Sequence, residues 1–323
     1  MSDFVRGLGI SIRRPHFAIA IWLVEGALAA VLAVPLSNFL HAELNHSPAG
    51  PAMIAAPNAL WWMTARKAHP EFLGNLPEAA ASLVSNAGAA GFSSFTSVSG
   101  LGAAFLGLGL LGVVLHAFLL GGILGGLQAN GKDLTVVARE GARRLPAFLV
   151  VTLGAGALAV AIYHSVYYAS GQALAGFSAN LATEGAARLL VFARAAALIV
   201  LLTVVKIAAD AIRIALVERP DLPPVTRYLV GIGSALGRLG HVFATLLFWT
   251  ASTVLLGFLW SRLNVSSAAT TTGGVVLLVA AQQVFVFLRA ILKVGYYAGV
   301  RETILRPARA PFPPPEEPAE ALA

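Results

Sequence analysis

Residues 101–124 read LGAAFLGLGLLGVVLHAFLLGGIL, an apolar run in which His116 is the only titratable side chain. The run lies inside a longer stretch, residues 79–131, that contains no Asp, Glu, Lys or Arg. An α-helix rises about 1.5 Å per residue, so about 20 such residues cross the ~30 Å hydrocarbon core of a bilayer. The stretch therefore predicts a membrane-spanning helix.

The composition extends this prediction to the whole chain of 323 residues. Hydrophobic residues make up 58% of the chain and charged residues 11%, and the mean hydropathy is +0.79. Ordinary soluble domains contain about 45–50% apolar and about 25% charged residues. This chain has too few polar side chains to cover a soluble fold, which excludes a soluble enzyme domain, a disordered protein and a coiled coil.

Six apolar runs are long enough to span a bilayer, and they indicate an all-α integral membrane helical bundle. We expect one transmembrane domain over residues 1–305, with short amphipathic surface helices, and a disordered Pro-rich cytoplasmic tail over residues 306–323. The first run exceeds the apolar core of a cleaved signal, so we expect it to be retained as an anchor. The expected spans cover residues 17–40, 101–124, 145–168, 186–206, 239–260 and 273–292.

The lysines and arginines sort between the loops in a way that gives an orientation. Of the 22 cations, fifteen lie in the two terminal pieces and the two loops that share one side, and three lie in the loops of the other side. Cytoplasmic loops carry the excess of Lys and Arg in membrane proteins. Both termini are therefore expected in the cytoplasm, with the chain embedded in a membrane that borders it. The lipid bilayer is then the expected partner, and the net charge of +7 requires no nucleic acid.

Charged stretches in the two inner loops predict helices near the cytoplasmic surface. Lys206, Asp210 and Arg213 are spaced i, i+4 and i+7, which places them on one helical face. We expect the fourth span to continue through this cytoplasmic charged face as one helix until Pro220 stops it. In the other inner loop, residues 136–144 have the basic amphipathic pattern typical of a helix at headgroup level.

The longest loop, residues 41–100, lies on the predicted outer side and is rich in Ala, Ser, Gly and Pro. Its segment Trp61-Trp62-Met63 indicates a short helix that either lies on the membrane surface or caps the bundle. The few His and Glu residues of the loop do not complete a metal shell, so no metal site and no cofactor are predicted.

Three ionisable side chains fall inside the predicted spans, where they are costly and raise a functional question. They are Glu25, His116 and Arg194, which lie at comparable depths from the cytoplasmic end. We expect Glu25 to contact either Arg194 or His116. Such a contact is interpreted either as a proton or ion relay or as a charge pair that fixes helix register. A Glu25 that is protonated or faces a water-filled groove is the remaining alternative.

Gly121, Gly122, Gly125 and Gly126 form overlapping small-xxx-small pairs at the foot of the second span. They predict close helix packing rather than a nucleotide site. The sequence contains no Gly-x-Ser-x-Gly, His-Glu-x-x-His or Walker motif, and it has no cysteine. We therefore assign no catalytic residue and expect no enzymatic activity.

Two stretches carry a resemblance to a known group of proteins. They are residues 120–149, with LGGILGGL and AREGARRLPAFL, and residues 206–218, KIAADAIRIALVE. The chain resembles a loose group of uncharacterised bacterial six-span membrane proteins, akin to the membrane domain attached to some glycerophosphodiester phosphodiesterases. The resemblance implies an inner-membrane helical bundle, and it carries over no catalytic residues because this sequence shows no phosphodiesterase domain.

These patterns favour a function as a structural or accessory component of a membrane assembly, with other membrane proteins as its partners. The alternative is a transporter or permease subunit that uses Glu25, His116 and Arg194 as a polar relay. The alternative requires these three side chains to line a wet cavity. The accessory role instead predicts an apolar or small-residue face open to a partner, for example around residues 121–126.

Overall fold

The computed structural model of the chain describes residues 2–44, 101–171, 184–262 and 272–306. Within these ranges the backbone is helical, with short turns and no strand. The helices are α1 (Ser2–Arg13), α2 (Pro15–Leu44), α3 (Leu101–Gln128), α4 (Leu134–Tyr163), which continues as a π-helix over His164–Ala169, α5 (Glu184–Glu218), α6 (Pro224–Gly237), α7 (Leu239–Arg262) and α8 (Thr272–Leu305).

Five of the described helices, α3, α4, α5, α7 and α8, are long and apolar enough to cross a membrane. A sixth candidate is the pair α1 and α2, which is bent by 80° at a short break. The prediction of an all-helical chain with several membrane-spanning helices is therefore confirmed, with five or six candidate spans. Each predicted apolar run lies within one of α2, α3, α5, α7 and α8, or within α4 and its π-helical continuation.

The sequence Arg14-Pro15 explains the break between α1 and α2. Proline has no N–H to donate, and it disfavours helical backbone at the residue before it. Accordingly α1 ends at Arg13 and α2 begins at Pro15. The break brings α1 alongside α8, where the Ser11 hydroxyl donates a 2.9 Å hydrogen bond to the Ile291 carbonyl oxygen.

Glycines allow α1 and α8 to meet backbone to backbone. A Cβ atom on Gly7 would lie 2.9 Å from the Gly299 Cα and closer still to backbone atoms of Gly295. A Cβ atom on Gly299 would in turn lie 2.9 Å from the Asp3 carbonyl oxygen. Close approach through small residues is a common way for helices to associate in membranes. The N-terminal helix is thereby fixed along the last turns of the chain's last described helix.

Buried side chains gather at one end of the molecule, which we call the packed end and which comprises residues 2–21, 117–151, 206–246 and 290–306. One apolar cluster is built around α5, α7 and α8, with Ile214, Val242 and Tyr296 fully buried. A second cluster joins α2 to α3 and α8 through Phe17 and Ile123.

Along the rest of the described helices most large apolar side chains are exposed, and we call this part the open end. It comprises residues 23–31, 109–114, 152–163, 188–205, 247–260 and 276–288. Phe192 and Leu189 of α5, for example, are 72% and 70% exposed. Such apolar surface is unfavourable in water but suits the lipid tails of a bilayer or contact with another protein.

The charged stretches of both inner loops are helical, as predicted, but they join their spans at different ends. Residues 136–144 are the first turns of α4, which continues through Pro146 into the predicted third span. Glu140 and Gly141 are buried there because this part of α4 packs on α3. By contrast, α5 is one helix that ends at Glu218, two residues before Pro220.

Two sequence predictions lie outside the described residues. They are the short helix at Trp61-Trp62-Met63 in the long outer loop, and the Pro-rich tail beyond residue 306.

Candidate functional site

The most polar part of the buried interior is a cluster supplied mainly by α5. Lys206, Asp210 and Arg213 share one face of this helix, as their spacing predicts. The face was expected to be open to the cytoplasm, but Asp210 is only 1% exposed and Arg213 only 6%. The difference arises because α4, α7 and α8 pack around this part of α5 at the packed end.

Asp210 accepts three short hydrogen bonds and is the centre of the cluster. Its Oδ2 accepts from the Lys206 ammonium at 2.7 Å and from the Tyr296 hydroxyl at 2.8 Å. Its Oδ1 accepts from Arg213 Nη1 at 2.8 Å. A carboxylate removed from water is tolerated only when such partners replace its hydration. The three donors meet this need and link α5 to α8 through Tyr296.

Aromatic rings surround the ammonium group of Lys206. Its Nζ lies 4.8 Å from the ring centroid of Tyr296, 5.7 Å from that of Tyr297 and 5.9 Å from that of Trp249. Trp249 and Tyr296 are themselves in ring contact, with centroids 5.2 Å apart. Cation–π attraction is strongest when the cation is desolvated, so the rings of α7 and α8 stabilise the charge beyond its pairing with Asp210.

Arg213 extends the cluster to α4. Its Nη2 donates to the Thr152 hydroxyl at 3.0 Å, and that hydroxyl donates to the Phe148 carbonyl oxygen at 2.7 Å. The Nε of Arg213 and the Nε1 of Trp249 are buried and donate no hydrogen bond within the described chain. With two cations and one carboxylate, the cluster holds one excess positive charge and spare donors.

This arrangement is chemically suited to fixing the position of α5 rather than to bond breaking. Its carboxylate is fully paired, and Lys206, Arg213 and Tyr296 all donate to it. Among the described residues there is also no group of three or more His, Asp or Glu side chains that could hold a metal ion. The cluster connects α4, α5, α7 and α8 through directional contacts at a single level of the bundle.

The predicted contact of Glu25 with Arg194 or His116 is wrong. Glu25 Oε1 accepts a hydrogen bond from Lys293 Nζ at 3.1 Å, and both side chains are largely buried. Lys293 was expected in the cytoplasmic C-terminal piece because it directly follows the predicted span 273–292. In the structure α8 continues to residue 305, so Lys293 lies within a helix and opposite α2.

Of the other two intramembrane candidates, His116 lies within electrostatic range of Lys293, whereas Arg194 lies in the open end. His116 is half-buried in α3, just before the buried part of that helix. Arg194 lies in the open end of α5, where its Nη1 is 2.9 Å from the position of a Cβ atom on Gly171. The structure therefore does not assemble Glu25, His116 and Arg194 into one polar path.

The four glycines at the foot of α3 lie at close helix contacts. A Cβ atom would be 2.7 Å from Val137 Cγ1 at Gly122 and 2.7 Å from the Phe17 ring at Gly126. At Gly125 it would be 2.8 Å from the Glu140 Cβ, and at Gly121 it would be 3.2 Å from the Arg144 Cβ. These positions let α3 approach α4 on one side and α2 on the other.

Further ion pairs lie in the packed end, close to where the helices begin or stop. The sequence analysis did not identify them. Arg144 pairs with Glu140 and donates to Gln128 Oε1 at 2.9 Å, which joins α4 to α3. Arg301 Nε donates to Glu218 Oε1 at 2.6 Å and joins α8 to α5. Arg306 pairs with Asp3, which connects the end of α8 to α1.

Some of these partners left a signal in the sequence. Glu140 and Arg144 have the i, i+4 spacing of a helical ion pair. Lys293, Tyr296 and Tyr297 are spaced i, i+3 and i+4, which places a polar and aromatic face on α8. Reading that face required the knowledge that α8 continues beyond its hydrophobic run.

Comparison with protein-family models, with curated proteins and with solved structures found no match to this chain.

Proposed function

We propose that the chain is a six-span protein of a bacterial cytoplasmic membrane, with both termini in the cytoplasm. We further propose that it acts as a structural or accessory component of a membrane assembly rather than as an enzyme. The length and apolar character of the described helices support the membrane location. The proposed orientation rests on the cations, which are concentrated on the side of the termini.

The orientation can be tested because the chain contains no cysteine. Lys132→Cys introduces a thiol in the α3–α4 turn, and Ser266→Cys introduces one between α7 and α8. In spheroplasts a membrane-impermeant maleimide should label the cysteine at 266 at once and the cysteine at 132 only after the membrane is permeabilised. The reverse pattern would contradict the proposed orientation.

The pairing of charges within the helices supports a structural role. The carboxylates of Glu25, Glu140, Asp210 and Glu218 each have a Lys or Arg partner, and two of these pairs cross between helices. The negative charge of each of these carboxylates is therefore compensated within the described chain. Such pairs fix helix register and orientation, which is the role that the charge-pair interpretation gives to Glu25.

The observation that carries the accessory role is the exposure of α5 in the open end. Its exposed large apolar side chains there, from Leu189 to Val204, are between 38% and 72% exposed, whereas Leu190, Leu198 and Leu202, spaced by multiples of four residues, form a half-buried row. Four alanines at 193, 195, 196 and 197 are exposed between them and permit close approach of another helix. Within the described chain, other helices cover only the row of Leu190, Leu198 and Leu202, which supports the proposal that a second membrane protein covers the exposed side of α5.

Photo-crosslinking from within the membrane tests this role directly. A photoreactive amino acid at Phe192 should crosslink to a specific membrane protein in intact cells. The matched position is Ile207, which is 1% exposed on the same helix and should crosslink only within the chain. Purification in mild detergent should retain the protein that crosslinks from 192. Crosslinks to lipid alone at 192, from a protein that purifies without partners, would contradict the accessory role.

The transporter alternative makes the opposite prediction. The purified chain, reconstituted alone into liposomes, would move a solute without any other protein. If such transport occurred and were lost in the Glu25→Gln variant, the result would contradict the accessory role and support the polar relay. The observed pairing of Glu25 with Lys293, rather than with Arg194 or His116, does not support that relay.

A further inference from the structure

A basic cavity of about 260 Å³ lies where the ends of α5 and α8 meet α6. The last turn of α5 contributes Glu218 and the following Arg219, and the end of α8 contributes Arg306. Ser234 and Arg238 line the side formed by α6. The cavity therefore brings three guanidinium groups and one hydroxyl to a single opening at the packed end.

The charges of this cavity are only partly compensated within the described chain. Glu218 is the one carboxylate in the lining, and it pairs with Arg301 outside the lining. Arg306 pairs with Asp3. Arg238 donates to two backbone carbonyl groups at the end of α8 and Arg219 is exposed, and neither pairs with a carboxylate of the described chain. Two positive charges thus remain uncompensated at the opening.

The opposite side of α6 indicates the depth of the cavity in a membrane. Val225, Leu229, Ile232 and Leu236 are spaced i, i+4, i+7 and i+11, and they are 72%, 64%, 39% and 62% exposed. A stripe of exposed apolar residues on a short helix between polar loops is the pattern of a helix lying in the membrane interface. The stripe enters the apolar layer, and the face with Ser234 then opens at the level of the lipid headgroups.

We propose that the cavity formed by Arg219, Ser234, Arg238 and Arg306 binds the phosphate of an anionic phospholipid headgroup. Guanidinium groups bind phosphate through charge-assisted, paired hydrogen bonds, and the Ser234 hydroxyl supplies a further donor. The interfacial stripe of α6 favours a lipid over a free anion, because it places the opening among headgroups. The proposal is independent of the accessory role, since it concerns lipid contact and not a protein partner.

The test uses the full chain in a neutral detergent. Native mass spectrometry counts bound lipid while phosphatidylglycerol, phosphatidylcholine or inorganic phosphate is titrated. We expect saturable binding of phosphatidylglycerol, and weakening by about tenfold in the Arg219→Ala variant, the loss of one charge-assisted hydrogen bond. The matched control is Arg143→Ala, which removes an exposed arginine of α4 outside the cavity and should leave binding unchanged.

Arg219 is exposed and makes no side-chain hydrogen bond or ion pair among the described residues, so its replacement should leave folding intact. Equal binding of phosphatidylcholine and phosphatidylglycerol would overturn the proposal, as would equal weakening by Arg219→Ala and Arg143→Ala. Inorganic phosphate that competes at the same concentration as the lipid would show a free-anion site and overturn the lipid assignment. None of these results predicts the outcome of crosslinking from position 192. Lipid binding in the cavity and the accessory role can therefore be refuted independently.

Discussion

At the scale of single residues, Asp210 is the side chain on which most buried polar contacts depend. It receives hydrogen bonds from Lys206, Arg213 and Tyr296, while Lys206 also lies against three aromatic rings. Asp210 thus pairs with a buried cation, Arg213, and with a partly exposed one, Lys206. Removal of that carboxylate would leave Arg213 buried without a counter-charge, which is more costly than replacement of the whole group by apolar residues.

We predict that Asp210→Asn lowers the free energy of unfolding by about 3–5 kcal/mol, because one partner of a buried ionic group is lost. Thermal unfolding in mild detergent, followed by tryptophan fluorescence, measures the change. Asp221→Asn makes the same chemical change at an exposed position and should shift stability by less than about 0.5 kcal/mol. Equal effects of the two variants would contradict the central position of Asp210.

The pairing of Glu25 with Lys293 gives a second prediction at this scale. Glu25→Lys places two ammonium groups together and should destabilise the chain, whereas the double variant Glu25→Lys with Lys293→Glu should recover part of the loss. We expect a coupling energy of about 1 kcal/mol, since both side chains retain some solvent exposure. Recovery by Arg194→Glu instead of Lys293→Glu would support the contact first expected from the sequence.

The residue scale also shows what sequence reasoning reaches. The identification of Glu25 as a charge within a helix needed only hydropathy, and the common face of Lys206, Asp210 and Arg213 needed only helical periodicity. Neither their burial nor the role of Tyr296 followed, because periodicity assigns a face without naming the helix packed against it. Tyr296 donates to Asp210 although it lies 86 residues further along the chain.

At the scale of helices, the glycines of α3 have two distinct environments. In the packed end they face α4 and α2, where an added Cβ atom would lie within 3.2 Å of an atom of the neighbouring helix. Toward the open end, a Cβ atom on Gly109 or Gly112 would meet nothing within 4 Å. The same residue type on the same helix thus serves close packing at one end only.

We predict that Gly122→Ala destabilises the chain by about 1–3 kcal/mol, because the new methyl group clashes with the Val137 backbone and the helices have to separate. Gly112→Ala should be neutral, or stabilising by up to about 1 kcal/mol, since alanine favours the helix and finds open space. Unfolding in detergent compares the two variants. Similar losses at both positions would indicate that helix propensity, and not packing, determines the effect.

Element boundaries show where hydropathy fails as a guide. The predicted spans end at the first charged residues, because charge is excluded from the hydrocarbon layer. The helices themselves continue, so α4 begins before its apolar run and α8 extends to Leu305. These extensions contain Glu140, Lys293 and Arg301, and therefore most of the ion pairs. The length of an apolar run indicates how much of a helix can lie in the hydrocarbon layer, but it does not indicate where the helix begins or ends.

At the scale of the whole molecule, the division into a packed end and an open end governs stability. Backbone segments with many buried neighbours open only with global unfolding, and those with few open locally. We predict that amide hydrogen exchange in detergent is slower over residues 207–217 of α5 than over residues 189–201 of the same helix. Mass spectrometry of peptides from the two segments measures the difference. Uniform exchange along α5 would contradict the division, and binding of a protein partner should slow exchange at 189–201 alone.

The length of α5 has a mechanical consequence. Its 35 residues form a continuous rod of about 52 Å, whereas the hydrocarbon core of a bilayer is ~30 Å thick. One arm of this rod lies in the open end and the other among the ion pairs of the packed end. A tilt of about 10° around residue 189 would displace Glu218 by roughly 8 Å. Such a tilt would have to break the pair of Glu218 with Arg301 or move α8 together with α5.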